Sequence, residues 1–92
     1  MQDVLTQDQF QAIARMLADP RRFAILQQIA SSDKLLCSGL DAHASISPAT
    51  ISHHLRELQE AGLVDAQRQG RSMCLTLRRS VWNAYIRQLQ QI

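Results

Sequence analysis

A mainly α-helical domain carrying one small β-hairpin is predicted by three features of the sequence. Two segments open with a capping residue followed by proline, Asp19-Pro20 and Ser47-Pro48. Proline suits the first helical position because the N–H it lacks would have no partner there. Gly62 stands where a helix would end in the left-handed conformation. After Gly62 the apolar residues stop recurring every three or four positions and begin to alternate, which is the period of a strand. The predicted element order is α-α-α-α-β-β-α.

The elements follow in turn. "LTQDQF" reads as a capping box, with Thr6 as N-cap, Gln9 three residues on, and Leu5 and Phe10 placed as a hydrophobic staple. Phe10, Ile13, Ala14 and Leu17 then mark a first helix over residues 7–18. A second helix starts at Asp19-Pro20, turns Phe23, Leu26, Ile29 and Ala30 inward, and ends in Ser31-Ser32-Asp33. A short third helix is expected near residues 34–42, with Leu36 and Leu40 one turn apart, and a turn at 43–46. The fourth runs from Ser47 to Gly62 with Ile51, Leu55 and Leu58 as its buried stripe. In "LVDAQRQGRSMCLTL" a tight turn at Gln69-Gly70 would pair Arg68 with Arg71, Ala66 with Met73 and Val64 with Leu75. That register leaves Asp65, Gln67, Ser72, Cys74 and Thr76 on the outer face. The last segment, 79–91, is helical, with Trp82, Tyr85, Ile86 and Leu89 on one stripe.

Ninety-two residues make a single domain, 1–92, near the lower end of what folds alone, so a homodimer is a natural way to bury more surface. No run of about 18 apolar residues could span a membrane. The start, Met-Gln-Asp-Val-Leu-Thr, lacks the basic and apolar regions of a signal peptide. Two cysteines, Cys37 and Cys74, are no disulfide framework, and a reduced, cytoplasmic chain is expected. The net charge of +2 is unevenly divided. Residues 1–65 hold five Lys/Arg and eight Asp/Glu, a balance of −3, whereas residues 66–92 hold Arg68, Arg71, Arg78, Arg79 and Arg87 and no acid. Such asymmetry points to an anionic partner, although a solvated basic tail gives the same count.

The adjacent histidines in "SISPATISHHLRELQEAGLV" invite a metal or a catalytic reading, and neither holds. With Ile51 at the centre of the buried face and 100° per residue, His53 falls on the opposite side while His54 lies only about 60° from the centre. Two ligands on one helix need spacing of three or four residues, so the pair cannot share a metal. No nucleophile, carboxylate pair or phosphate-cradling loop accompanies them, and no enzyme activity or cofactor is expected. What remains is an outward face of small and hydrogen-bonding groups: Ser47, Ala49, Thr50, Ser52, His53 and Arg56. Such a face can approach base edges in a major groove. With a short helix and turn before it and the Arg68–Gln69–Gly70–Arg71 tip after it, the whole reads as a winged helix-turn-helix. Arg68, Gln69 and Arg71 would meet phosphates or the minor groove. The bland alternatives are a solvated Ser/Thr-rich surface, solubilising turn arginines, and His54 as a packing residue.

These segments also resemble a known family. "LADPRRFAILQQI", "SPATISHHLRELQEAGLV" and "RQGRSMCLTL", over residues 12–78, are similar in order and spacing to the bacterial ArsR/SmtB-type winged-helix repressors. The resemblance implies a homodimer joined through the first and last helices, placing Phe10, Ile13, Leu17, Trp82, Tyr85, Ile86 and Leu89 at the interface. It also implies an inverted-repeat operator in double-stranded DNA and derepression by a signal. The family's sensing sites do not carry over. The thiolate positions correspond here to Leu36 and Ser38, with Cys37 between them, and no Asp, Glu or His follows Asp65 for a site on the last helix. Cys37 reads as an apolar filler, Cys74 as an outward residue of the wing, and His43 as a turn residue; either thiol is at most a weak candidate sensor. The rival is a winged-helix interaction module docking an acidic protein partner.

Overall fold

The computed structural model describes residues 4–31, 35–36, 47–70 and 72–92. Its elements are α1 (Gln7–Leu17), α2 (Pro20–Ala30), β1 (Leu35–Leu36), α3 (Pro48–Glu60), β2 (Val64–Gln69), β3 (Ser72–Leu77) and α4 (Arg79–Gln90). The expected mainly helical fold with a hairpin is present. The helix starts are made locally, as the cap residues require. The Gln9 N–H donates to the Thr6 hydroxyl at 3.1 Å. The Asp19 carboxylate accepts from the Arg21 and Arg22 amides at 2.9 and 3.3 Å. The Thr50 N–H donates to Ser47 Oγ at 3.2 Å.

One local difference concerns the expected third helix. Leu35 and Leu36 form a strand antiparallel to β3, opposite Leu75 and Cys74, so the sheet has three strands in the order β1-β3-β2. Residues 37–46, with Cys37, His43 and the expected turn, lie outside the described residues. The hairpin register also differs. Val64 faces Leu77, Ala66 faces Leu75 and Gln69 faces Ser72, a shift of two from the expected pairing. A shift of two keeps every side chain on its face, whereas a shift of one would turn the apolar set outward. The strands therefore close one residue later, with Gly70 (φ +62°) opening the connection.

The core draws on every helix and on the sheet. Ile13, Ile25, Ile29, Leu58, Leu63 and Leu75 are fully buried, and Val81, Ala84 and Tyr85 of α4 close the cluster. On α2 the inward positions are Ile25, Leu26 and Ile29, while Phe23 is 37% exposed, so the stripe sits one step round from the expected one. Cys74 is also corrected: it is 5% exposed, not an accessible outward residue. The outward expectation rests on alternation in a two-stranded wing, which puts Cys74 on the face opposite the apolar set; in the structure β3 is the central strand of three, paired with Leu36 on one side of Cys74 and Gln67 on the other. Arg79 fastens α4 to the end of α2 by donating to the Ala30 carbonyl at 3.0 Å.

The end of α3 makes a specific demand on one residue. Leu63 N–H returns to the Leu58 carbonyl and Gly62 N–H to the Gln59 carbonyl, both at 3.0 Å, with Gly62 at φ +81°. A Cβ at Gly62 would lie 2.8 Å from Gln9 Nε2, whose amide donates to the Ala61 carbonyl. Gly62→Ala is therefore expected to destabilise the fold by about 1–2 kcal/mol from the left-handed backbone alone. In a domain of this size that is roughly 4–15 °C in Tm. A melting curve checks it, and an unchanged Tm would mean that the turn relaxes to another conformation.

Candidate nucleic-acid interface

The buried flank of α3 fixes what its opposite side presents. Leu55 and Leu58 anchor the helix in the core, with Ile51 half-buried beside them. Ala49, Ser52, His53 and Arg56 consequently project outward, and all four are exposed. Ser47 is exposed as well, but its hydroxyl is engaged in the cap and lies 2.8 Å from the Thr50 hydroxyl. Thr50 is half-buried. These two expected contact residues thus shape the start of the helix, and their hydroxyls already have one partner each.

His53 carries a second structural duty. It is 63% exposed and pairs through Nε2 with Glu57 one turn on, and Glu57 also pairs with the Arg22 guanidinium. Arg22 reaches in addition the Met16 carbonyl through Nε at 3.2 Å and the Arg15 carbonyl at 3.5 Å. The end of α1 is thereby tied to the middle of α3. The neighbouring cap residue feels the same charges: hydrogen bonding from the Arg22 amide, chiefly, with the Arg21 amide and the Arg22 and His54 charges, holds the Asp19 carboxyl below its ordinary value.

The hairpin stands beside α3. Arg68 is exposed on β2. Gln69 pairs with Ser72 through the backbone, and Arg71 lies outside the described residues. Not all of the C-terminal arginines are free to meet an anion. Arg78 sits 3.7 Å from Asp65, a solvent-exposed ion pair of small energetic weight, and Arg79 holds the α2 carbonyl. The basic groups that sequence reasoning passed over are Arg15 and Arg21, which are exposed at the α1–α2 junction. The run "DPRR" announces a helix cap in the sequence, while its charge is hidden in the acidic balance of residues 1–65.

The expected interface stripes divide in two. Ile13 is fully buried and Tyr85 is 6% exposed within one chain, so their surface is already taken by the core; the Tyr85 ring meets the Phe10 ring at 4.9 Å, tilted by 37°. Phe10, Leu17, Trp82 and Ile86 are half-buried, and Leu89 is 43% exposed. Among the described residues no three His, Cys, Asp or Glu side chains form a group able to hold a metal. Among them, too, no helix is long and apolar enough to cross a membrane.

Four helices with an antiparallel hairpin directly after an outward-facing α3 define a winged helix-turn-helix protein. Comparisons with known proteins give the family. Residues 17–67 match the family model described as a helix-turn-helix domain. The chain is 32% identical over 81 residues to the HTH-type transcriptional regulator YceK of Bacillus subtilis (strain 168), covering 86% of this chain and 81% of that protein. It is 25% identical over 85 residues to the HTH-type transcriptional regulator YgaV of Escherichia coli (strain K12), covering 92% and 86%. The solved structure of an ArsR-like transcriptional regulator from Rhodococcus sp. RHA1 superposes with a TM-score of 0.80 at 25% identity, covering 91% of this chain and 78% of that one. The chain belongs to the ArsR/SmtB-type winged-helix transcriptional regulators.

Proposed function

We propose that this chain is a cytoplasmic homodimeric repressor that recognises an inverted-repeat operator in double-stranded DNA. The observation that supports it most is the outward strip of α3, Ala49, Ser52, His53 and Arg56, which no other part of the described chain covers. Its small and hydrogen-bonding side chains suit close approach to base edges in a major groove. The exposed Arg68 suits the neighbouring phosphates, and Arg71, outside the described residues, is proposed beside it from the sequence. The half-buried Phe10, Leu17, Trp82 and Ile86 with the exposed Leu89 offer an apolar surface on α1 and α4 for a second copy. The family's thiolate and last-helix metal sites have no counterpart among Leu36, Ser38 and residues 66–92, and the reading names no effector.

The test is an anisotropy titration of duplex DNA from upstream of the protein's own gene beside a scrambled duplex at the same salt. Sedimentation establishes the stoichiometry, and a promoter fusion establishes the sign of regulation. Tight binding of a dimer to the upstream duplex alone, with lowered promoter output, is the expected result. Equal weak binding to both duplexes would favour an acidic protein partner instead. Arg68→Ala is expected to weaken both duplexes alike and to reduce the slope of log K against log salt by about 0.9 per protomer. An unchanged slope would remove Arg68 from the phosphate contacts.

A further inference from the structure

His54 is the one polar side chain buried in the core region of the described residues, at 6% exposure, and neither ring nitrogen has a hydrogen-bond partner there. An imidazole always carries at least one N–H, so a buried donor is left unanswered. The ring as placed keeps both nitrogens from solvent and must turn to offer either of them to a ligand. It lies against a shallow, open cleft between the α1–α2 junction and the flank of α3, lined also by Arg15, Asp19, Arg21, Arg22 and Thr50.

The charges around that cleft select the ligand. Asp19 is committed to the amides of α2 and lies 3.9 Å from Arg22, and Arg22 is committed to Glu57 and to the carbonyls of α1. Arg15 and Arg21 are exposed, and their guanidinium groups have no partner among the described residues. Two free guanidinium groups above a buried N–H donor suit an oxyanion with at least two oxygens. Three arginines against one engaged carboxylate disfavour a cation.

From these groups we infer that the cleft is a phosphate site. One phosphate oxygen accepts from the His54 ring and another from Arg21 or Arg15. The geometry of α3 favours the DNA backbone as the source of that phosphate, and this part rests on the proposed DNA-binding function. Thr50 and His54 lie on the flank of α3, about 60–100° from its buried centre, between the core and the outward strip. A helix with its side chains is about 10–12 Å across and a major groove about 12 Å wide, so a helix that reads bases with one face has its flanks against the phosphate walls. His54 would then clamp the backbone while the outward strip reads sequence.

The test has two arms and two variants. In the first arm, DNA-free protein is titrated with inorganic phosphate at constant ionic strength, and the ring nitrogens of His54 are followed by NMR. In the second, operator and scrambled duplexes are titrated over a range of salt, with ethylation interference mapping the phosphates that matter. The surface variant Arg15→Ala/Arg21→Ala leaves the core untouched, and His54→Asn removes the ring.

The expected result is a saturable shift of the His54 ring nitrogens by phosphate. The salt slope should fall by about 0.9 for each lost phosphate contact in the surface variant, with equal weakening on both duplexes. One ethylation-sensitive phosphate per half-site should become insensitive in either variant. A ring shift without any change in slope or interference supports the oxyanion site and assigns it to a free phosphate. No ring shift, together with wild-type slopes in the surface variant, overturns the inference and leaves the cleft to water. Failure of the wild type to bind any duplex would sink the DNA-binding reading separately, with the phosphate titration still deciding the cleft.

Discussion

Arg22→Ala is expected to cost about 2–4 kcal/mol of folding stability. The side chain is 13% exposed and joins three segments: the last turn of α1 through the Met16 and Arg15 carbonyls, the α2 cap through Asp19, and the middle of α3 through Glu57. Removing it takes the side-chain donor from the Met16 carbonyl, while the Arg15 carbonyl keeps the Ala18 N–H, and leaves a Glu57 carboxylate, 22% exposed, with His53 as its only ionic partner among the described residues. Breaking a fully buried pair costs about 3–5 kcal/mol, and an exposed one about 0–1 kcal/mol, and this pair lies nearer the first limit. In a 92-residue domain the loss corresponds to a fall in Tm of roughly 10–25 °C. Arg22→Lys should recover little, because an ammonium cannot reach carbonyl and carboxylate together in the planar fork of a guanidinium. A double-mutant cycle with Glu57→Gln isolates the pair. A loss below about 1 kcal/mol would show that apolar contacts alone position α3.

Arg56→Ala is expected to abolish most of the discrimination between operator and scrambled DNA. Arg56 is exposed, carries no ion pair among the described residues, and lies on the same outward strip as Ala49 and His53. A bidentate contact from arginine to a guanine edge contributes about 1–3 kcal/mol of discrimination. A symmetric dimer makes the contact twice, so roughly 2–6 kcal/mol is at stake, a factor of about 30 or more in the ratio of affinities. The parallel titration of both duplexes separates the roles. If operator and scrambled affinities fall equally, Arg56 meets phosphate and the base contacts belong to Ser52 and His53.

What could be read from the sequence is what neighbouring residues decide. Thr6, Asp19 and Ser47 cap their helices through bonds to amides two or three residues away, and Gly62 ends α3 within one turn. The alternation after Gly62 announces the inward set Val64, Ala66 and Leu75, because the period of a strand is two, but not the burial of Cys74 on the other face. It left two registers of the same parity, and the one observed brings Leu77 opposite Val64. Features made by distant residues were not legible. Leu35–Leu36 is a strand because it pairs with β3, some forty residues away, and no spacing within the segment announces that partner. The bridge from Arg22 to Glu57, and the cleft over His54, exist because α1, α2 and α3 meet, and no local spacing announces such a meeting.

Cys74 shows what placement in the central strand does to chemistry. Oxidants and alkylating reagents act on a thiol in proportion to its accessibility as well as its thiolate character. With a neighbouring strand on each side and 5% of its surface exposed, Cys74 meets such reagents only when a flanking strand peels away. Its reactivity is therefore a clock set by local opening of the sheet, running at the pace of the fold and not of the reagent. Whatever holds the three strands together slows that clock.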